Sequence, residues 1–265
     1  MPANPYHQIE SGAPGRVGWR IHYFDEVATT QRVAAEMADE GAAQGTVVIA
    51  ERQSAGRGRM GRSWHSPSGV NLYMTIILRP SIPLGQVPRL SLVAGVVAAE
   101  ALETVAPGIV ALKWPNDVLL RGRKAGGIIA EAVTDVRQQL ACVLVGIGIN
   151  INLRAADIPV ELRDKATSML IATGHPCDRI AIADSLFNLL DSRYMESLTR
   201  GFDSIRPAWE SYSALTGKRV VIVNSERRES GVVKGIDADG ALLLDIGGRV
   251  ERIVAGEVSV EGAYD

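Results

Sequence analysis

The segment of residues 56–63 lies between two stretches with the composition of β-strands, and this placement limits the folds open to the chain. Its sequence, Gly-Arg-Gly-Arg-Met-Gly-Arg-Ser, satisfies the dinucleotide pattern G-x-G-x-x-G. It also satisfies the phosphate-loop pattern except that Arg62 replaces the required Lys. Both patterns need a strand before the loop and a helix after it, because the helix N-terminus faces the phosphate. Residues 46–50 supply the strand, but residues 64–69 form a Pro- and Gly-containing loop and residues 70–78 a second strand. The sequence therefore argues against both nucleotide-binding folds.

Positive charge is concentrated around this segment, which we call the Arg loop. Residues 52–99 contain six arginines and no Asp or Glu, while the whole chain has a formal net charge of -2. A local cluster of cations in a nearly neutral chain favours a small anionic ligand over a long nucleic acid backbone. A solvated, arginine-rich surface loop is the alternative interpretation.

Composition is that of a soluble globular protein, with 265 residues of which 46% are hydrophobic and 22% charged. The two cysteines, Cys142 and Cys177, form no disulfide framework and have no histidine at zinc-ligand spacing, which favours a cytoplasmic location. The N-terminus lacks the apolar run of a signal peptide. No stretch reaches the roughly 20 apolar residues that span a bilayer, so we expect no membrane association.

The order of predicted elements indicates an α+β fold. Strands are predicted at residues 19–25, 46–50, 70–78, 109–114, 118–120, 126–133 and 140–151, with a turn at residues 121–124. Helices are predicted at residues 29–41, 88–105, 178–199 and 202–213. Because consecutive strands are joined by short turns, we expect an antiparallel or mixed sheet flanked by helices.

From residue 217 the pattern changes to short β-type runs separated by Gly-containing turns. These runs are residues 219–223, 231–236, 241–246, 250–254 and 257–260. They predict a small all-β barrel of about 50 residues, too small to be very stable alone. The expected division is an N-terminal tail at residues 1–18, a catalytic domain at 19–214 and the barrel at 215–265.

A second informative run, Lys-Trp-Pro-Asn-Asp, occupies residues 113–117. It places a cation, an amide and a carboxylate together at the end of an apolar strand, which is unusual for plain packing. Lys124 follows seven residues after Asp117 and precedes Gly126 and Gly127. Glycines at such positions permit close approach of a ligand to the backbone.

Taken together, these motifs resemble those of biotin protein ligases. The motifs are Gly56-Arg57-Gly58-Arg59-x-Gly61-Arg62-x-Trp64, Lys113-Trp114-Pro115-Asn116-Asp117, Lys124-x-Gly126-Gly127-Ile128 and Gly146-Ile147-Gly148-Ile149-Asn150. They stand in the family's order and spacing, and the resemblance extends from about residue 21 to the C-terminus. It implies a class II synthetase-like catalytic domain with a small SH3-like β-barrel.

The resemblance also implies the reaction, the cofactors and the partner. Biotin and ATP would give biotinyl-5′-AMP and pyrophosphate, and biotin would then pass to one lysine of a biotin carboxyl carrier domain. ATP and Mg²⁺ are the implied cofactors, with biotin as substrate. No metal ligands are assigned, although Asp117 could orient the acceptor amine or help hold magnesium. Holding two anions together requires cations more than a base or a nucleophile.

By the same resemblance, three groups of site residues are expected. The catalytic group comprises Lys124, Arg59, Lys113 and Asp117. The biotin-binding group comprises Thr29, Thr30, Gln31, Gln53, Arg57, Gly58, Arg59, Lys124 and Gly127. The nucleotide-binding group comprises Arg59, Arg62, Trp64, Asn116, Asn150 and Ile158. Gln31 departs from the family pattern, which has Asn at this position, and the Arg loop is expected to close over biotin as a lid.

Other functions remain open at this stage. A lipoate-type ligase shares the fold class, and a non-catalytic nucleotide- or RNA-binding protein could be built on the barrel. About 20 residues precede the first strand, too few for a helix-turn-helix domain, so we expect no sequence-specific DNA binding. An exposed strand of the sheet could pair with a carrier domain or with a second copy of the chain as a homodimer.

Overall fold

The computed structural model of the protein describes residues 4–9, 17–223 and 228–260. Its larger part is built from seven strands and five helices within these ranges. The strands are β1 (Arg20–Val27), β2 (Thr46–Gln53), β3 (Leu72–Leu78), β4 (Val110–Lys113), β5 (Asp117–Leu120), β6 (Arg123–Thr134) and β7 (Leu140–Ile149). The helices are α1 (Thr30–Asp39), α2 (Val87–Glu103), α3 (Met169–Thr173), α4 (Arg179–Arg200) and α5 (Arg206–Ser211).

The seven strands form one mixed sheet in the order β1-β2-β3-β7-β6-β5-β4. Only the β1–β2 pair is parallel, since α1 crosses between them, and each other neighbouring pair is antiparallel. The short turns joining β4, β5, β6 and β7 account for the antiparallel half. The predicted α+β fold with a mixed sheet is therefore confirmed.

The two faces of this sheet are covered unequally. Helix α2 is apolar on nearly every side and packs on one face, and α4 packs against α2. On the other face α1 covers a smaller cluster, made of Ala34, Val48, Ile77, Cys142 and Leu144. The face beside the N-terminus of α1 is where the Arg loop and its neighbours lie.

A separate five-stranded sheet follows the larger domain. Its strands are β8 (Arg219–Val223), β9 (Arg228–Ile236), β10 (Leu242–Ile246), β11 (Arg249–Ile253) and β12 (Glu257–Val260), in the order β11-β10-β9-β8-β12. All its neighbouring strands are antiparallel. This confirms the predicted small C-terminal barrel of the SH3-like class.

The barrel docks on the larger domain through the turn between β9 and β10. The buried indole of Trp114 donates from Nε1 to the carbonyl oxygen of Gly240 at 2.9 Å, and Arg89 at the start of α2 pairs with Asp239. Gly240 has a φ of +78°, and a Cβ built there would lie 2.6 Å from Cδ1 of Leu92. The turn therefore fits only because it carries no side chain.

The structure departs from the sequence prediction in three places. The turn predicted at residues 121–124 is shorter, because β6 already begins at Arg123 and Lys124 is a strand residue. The short helix α3 carried no predicted element. Within the segment expected to be a tail, Tyr6 and Ile9 are buried against the main core. The three-part domain division itself stays a prediction.

Replacing Gly240 with alanine should destabilise the protein through the contact with Leu92. We expect Gly240→Ala to lower the free energy of unfolding by about 2–4 kcal/mol, from left-handed backbone strain plus overpacking. Gly247→Ala is the matched control, since its φ is +64° with no atom within 4 Å of the added Cβ. Urea unfolding should show a clearly larger loss for Gly240→Ala; equal losses would mean that the turn is not tightly docked.

Candidate active site

Three glycines on β6 and β7 form the floor of a groove on the α1 side of the sheet. Gly127 pairs with Gly148, and Ile129 pairs with Gly146. A Cβ at Gly148 would lie 2.8 Å from Nε1 of Trp64, and one at Gly146 would lie 2.7 Å from Oε1 of Gln31. These side chains therefore rest directly on backbone that only glycine leaves open.

One end of the groove holds a lysine–aspartate pair. Lys124 Nζ lies 2.6 Å from Asp117 Oδ1 and 5.5 Å from the ring centroid of Trp64. The antiparallel pairing of β5 with β6, with its irregularity after Val118, brings the two side chains together. Both side chains are only partly exposed, so the lysine is oriented without being fully buried.

Further cations surround this pair. Arg59 donates from Nη1 to Asn116 Oδ1 at 3.2 Å, and Asn116 Nδ2 donates to the carbonyl of Ile128 at 2.9 Å. Burial lowers the pKa of the Arg59 guanidinium, while the carboxylates of Asp117 and Glu257 act in the opposite direction. Arginine nevertheless keeps its charge in proteins. The site thus presents a fixed cation that is partly removed from water.

Lys113, at the end of β4, belongs to the same electrostatic cluster. Burial lowers the pKa of its amine; Asp117 and Glu257 raise it, and Lys124 and Arg62 lower it. A partly buried cation beside another cation is relieved when an anion binds. The cations of this cluster outnumber its two carboxylates, Asp117 and Glu257, so the cluster favours an anionic ligand.

The Arg loop is a tight hairpin. The backbones of Arg57 and Ser63 form an isolated antiparallel β-bridge, and the backbone N–H of Gly58 donates to the carbonyl of Arg62 at 2.7 Å. Met60, with a φ of +57°, stands 74% exposed at its tip. Arg57 is exposed, whereas Arg62 reaches the barrel and pairs with Glu257 on β12. Three arginines thus leave the hairpin in different directions.

A hydrogen-bonded network occupies the other end of the groove. Thr29 caps α1 by accepting from the N–H of Arg32 at 3.0 Å, so its capping role is visible. Thr30 donates from its backbone N–H to Gln53 Oε1 at 2.9 Å. Gln31 accepts from Thr75 Oγ1 at 2.9 Å and donates from Nε2 to Glu131 Oε2 at 3.1 Å. The Gln31 side chain therefore joins α1 to both β3 and β6.

Sequence reasoning missed Thr75 and Glu131 in this network, and also Ser66, whose hydroxyl accepts from Gln53 Nε2 at 3.1 Å. They are common residue types in a loop and two strands, and no local motif marks them. The sheet register, which sets Thr75 opposite Gly146 and Glu131 opposite Leu144, places these two beside the predicted residues, whereas Ser66 lies in the loop before β3. For Thr75, a strand alignment of β3 with β7 would have been the signal.

Two predicted nucleotide-binding residues lie in the protein interior. Asn150 is 6% exposed, donates from Nδ2 to the carbonyl of Thr167 at 3.0 Å and accepts from Asn71 at 3.3 Å. Ile158 is 4% exposed within the segment predicted to cover adenine, while Val160 beside it is 71% exposed. The Asn150 side chain thus links the segments around Asn71 and Thr167. The nucleotide role of Asn150 and Ile158 stays a prediction.

Neither a metal-binding cluster nor a membrane-spanning helix occurs among the described residues. In those ranges no group of three or more His, Cys, Asp or Glu side chains is placed to hold a metal ion. Over the same ranges, every helix is too short or too polar to cross a membrane.

A Cβ at Gly148 should move the indole of Trp64 off the groove floor. The other three tryptophans are 2–6% exposed, so quenching of fluorescence by acrylamide reports mainly on Trp64. We expect stronger quenching in Gly148→Ala than in wild type, and no change in Gly85→Ala, where the added Cβ meets no atom. Unchanged quenching in Gly148→Ala would contradict the described packing.

Comparison with protein families defines the class first. Residues 23–150 match the Biotin/lipoate A/B protein ligase family, and residues 216–260 match the Biotin protein ligase C terminal domain. The two matches cover the sheet with its groove and the barrel, respectively. The chain is thus similar to ligases in both of its parts.

Individual relatives narrow this class. The chain is 37% identical over 244 residues to the bifunctional ligase/repressor BirA of Bacillus subtilis, covering 92% of this chain and 75% of the relative. It is 33% identical to the biotin--[acetyl-CoA-carboxylase] ligase of Mycobacterium tuberculosis, covering 91% and 89%. The biotin protein ligase from Aquifex aeolicus in complex with biotin and ATP superimposes with a TM-score of 0.80 at 30% identity, covering 91% of this chain and 98% of that one. The chain belongs to the biotin protein ligase family.

Proposed function

We propose that the protein adenylates biotin with ATP and transfers biotin to a lysine of a biotin carboxyl carrier domain. The observation that carries this proposal is the position of Lys124, which lies beside the glycine floor and pairs with Asp117, the same carboxylate that interacts electrostatically with Arg59. Family membership supports the substrates, since similar proteins are named biotin ligases and one solved relative is described with biotin and ATP.

In the first step a biotin carboxylate oxygen attacks the α-phosphorus of ATP. A bond forms between that oxygen and phosphorus, the bond to the bridging oxygen breaks, and pyrophosphate leaves. The reactants are both anions, so their approach depends on fixed positive charge. Lys124 and Arg59 supply it from partly desolvated positions, and one such donor typically contributes about 3 kcal/mol to a barrier.

In the second step the amine of the carrier lysine attacks the acyl carbon of biotinyl-5′-AMP and AMP leaves. The attacking amine must be neutral and must shed a proton. Asp117, whose carboxylate pairs with Lys124, is the residue proposed to orient that amine and accept the proton. The carrier domain is therefore the proposed partner; pairing of two copies of this chain is a separate, open prediction.

The mixed anhydride must be protected from water between the two steps. Trp64, which directly follows the Arg loop, lies over the glycine floor, and we propose that the loop acts as a lid. Arg57, Gly58 and Arg59 are the proposed loop contacts to biotin and the adenylate. Thr29, Thr30, Gln31 and Gln53 supply the donors and acceptors that a ureido ring requires.

Magnesium would enter the site bound to the phosphates of ATP. Mg²⁺ commonly takes one or two protein carboxylates and completes its shell with water and substrate phosphates. Asp117 supplies one carboxylate at this site, which fits that mode and does not fit a cage built from protein alone. Magnesium would neutralise phosphate charge there.

A lipoate-type ligase is the second candidate, because the matched family model includes lipoate enzymes. The polar network of Thr30, Gln31 and Gln53 favours a ureido ring over an aliphatic dithiolane, and the C-terminal match is to a biotin enzyme domain. Competition between biotin and lipoate for adenylation separates the two candidate functions.

Mass spectrometry of a carrier domain incubated with biotin, ATP and magnesium tests the whole proposal, and absence of the biotinyl mass would refute it. A cytoplasmic location remains a prediction from the cysteine content.

Removing the amine of Lys124 should stop the first step. We expect Lys124→Ala to reduce biotin-dependent pyrophosphate release at least a hundredfold, since it removes a charge from the transition state. The circular dichroism spectrum should stay native because the side chain is partly exposed. Lys218→Ala, which removes an exposed lysine of the barrel domain, is the control. Near-normal pyrophosphate release by Lys124→Ala would refute the assigned role.

Shortening Arg59 should weaken retention of the intermediate. We expect Arg59→Gly to release biotinyl-5′-AMP about tenfold faster, because the loop loses a charge-assisted contact. Arg59→Lys keeps the charge without the planar fork and should fall between the two. Adenylate retained after rapid gel filtration gives the measurement. A mutant that holds the adenylate as long as wild type would show that Arg59 does not grip it.

A further inference from the structure

Ser66 ties the two ends of the Arg loop together. Its hydroxyl accepts from Gln53 Nε2 at 3.1 Å and donates to the carbonyl of Trp64 at 3.0 Å. Gln53 precedes the loop at the end of β2, and Trp64 follows it. One buried hydroxyl, 6% exposed, therefore bridges the chain where it enters and leaves the loop.

The backbone around Ser66 is tightly packed. Trp64 donates from its backbone N–H to the carbonyl of Gly56 at 2.8 Å. A Cβ at Gly56 would lie 2.5 Å from the Trp64 carbonyl oxygen, 2.6 Å from Ser66 Oγ and 3.2 Å from Gln53 Nε2. The base of the loop is therefore close-packed around the Ser66 hydroxyl, so that a shift of one partner moves the others.

The same hydroxyl is joined to the polar end of the groove. Gln53 uses Nε2 for Ser66 and Oε1 for Thr30, accepting from the Thr30 backbone N–H at 2.9 Å. Thr30 Oγ1 lies 2.9 Å from Thr75 Oγ1, which in turn donates to Gln31 at 2.9 Å. A continuous chain of hydrogen bonds thus runs from Gln31 to the carbonyl of Trp64.

We infer that Ser66 is a positioning residue that couples occupancy of the polar end of the groove to closure of the Arg loop. This inference rests on the proposed function. A ligand that hydrogen-bonds Thr30 or Gln53 orients the Gln53 amide, and the amide fixes Ser66 and the Trp64 carbonyl. Ser66 touches no reacting atom in this scheme, and its hydroxyl sets how long the closed loop retains biotinyl-5′-AMP.

The experiment compares wild type with Ser66→Ala and Ser66→Cys in the full chain, with Ser68→Ala as control. Ser68 is exposed on the same segment, so its loss leaves the bridge intact. Two quantities are measured, the release rate of biotinyl-5′-AMP after gel filtration and the trypsin cleavage rate within the loop, with and without saturating biotin. Ser66→Cys keeps a weak donor and acceptor of similar size and covers the case in which Ser66→Ala folds poorly.

Loss of the bridge should speed adenylate release about fivefold to tenfold in Ser66→Ala, the effect of one hydrogen bond, with Ser66→Cys intermediate. Biotin should protect the loop from trypsin in wild type and Ser68→Ala, and much less in Ser66→Ala. A merely structural role would not change this protection ratio at temperatures well below unfolding. If all variants retain adenylate and protection as wild type does, the coupling is refuted while the proposed function stands. If wild type forms no adenylate and gains no protection from biotin, both fail.

Discussion

The pairing of β6 with β7 through glycine is the constraint on which the rest of the site depends. Gly127 lies opposite Gly148, and neither presents a side chain to the groove. This leaves room for the side chain of Trp64 against Gly148, while Gly146 leaves room for that of Gln31. Any larger residue at Gly148 would displace the indole of Trp64 from the sheet.

The same strand pairing also explains why the charges meet. In the antiparallel pairing of β5 with β6, Asp117 lies opposite Gly127 and Lys124 opposite Leu119, and the side chains of Asp117 and Lys124 meet across the pair. Arg59 arrives from the loop and Lys113 from β4, both partly withdrawn from water. Four segments thus contribute charge to one end of the groove, and three of the four groups are cations that can hold two anionic substrates together.

Much of this could be predicted from sequence, and the reason lies in motif context. The Arg loop lies between two strands, β2 and β3, as predicted. The resemblance to biotin protein ligases singled out Lys124, and its catalytic role stays a prediction. Ser66, Thr75 and Glu131 could not be found in this way, since their partners lie on other strands and their residue types are ordinary. Asn150 stands in a conspicuous motif, and its side-chain amide bonds to the Asn71 side chain and the Thr167 carbonyl; its nucleotide role stays a prediction.

The contact between Trp114 and Gly240 has a consequence for modularity. The indole belongs to the same five-residue run as Asn116 and Asp117, and it is hydrogen-bonded to a turn of the barrel. A chimera that joined this larger domain to the barrel of another ligase would have to preserve a left-handed glycine at that turn, or it would tilt the segment carrying the carboxylate. Barrel and larger domain must therefore be exchanged as a matched pair.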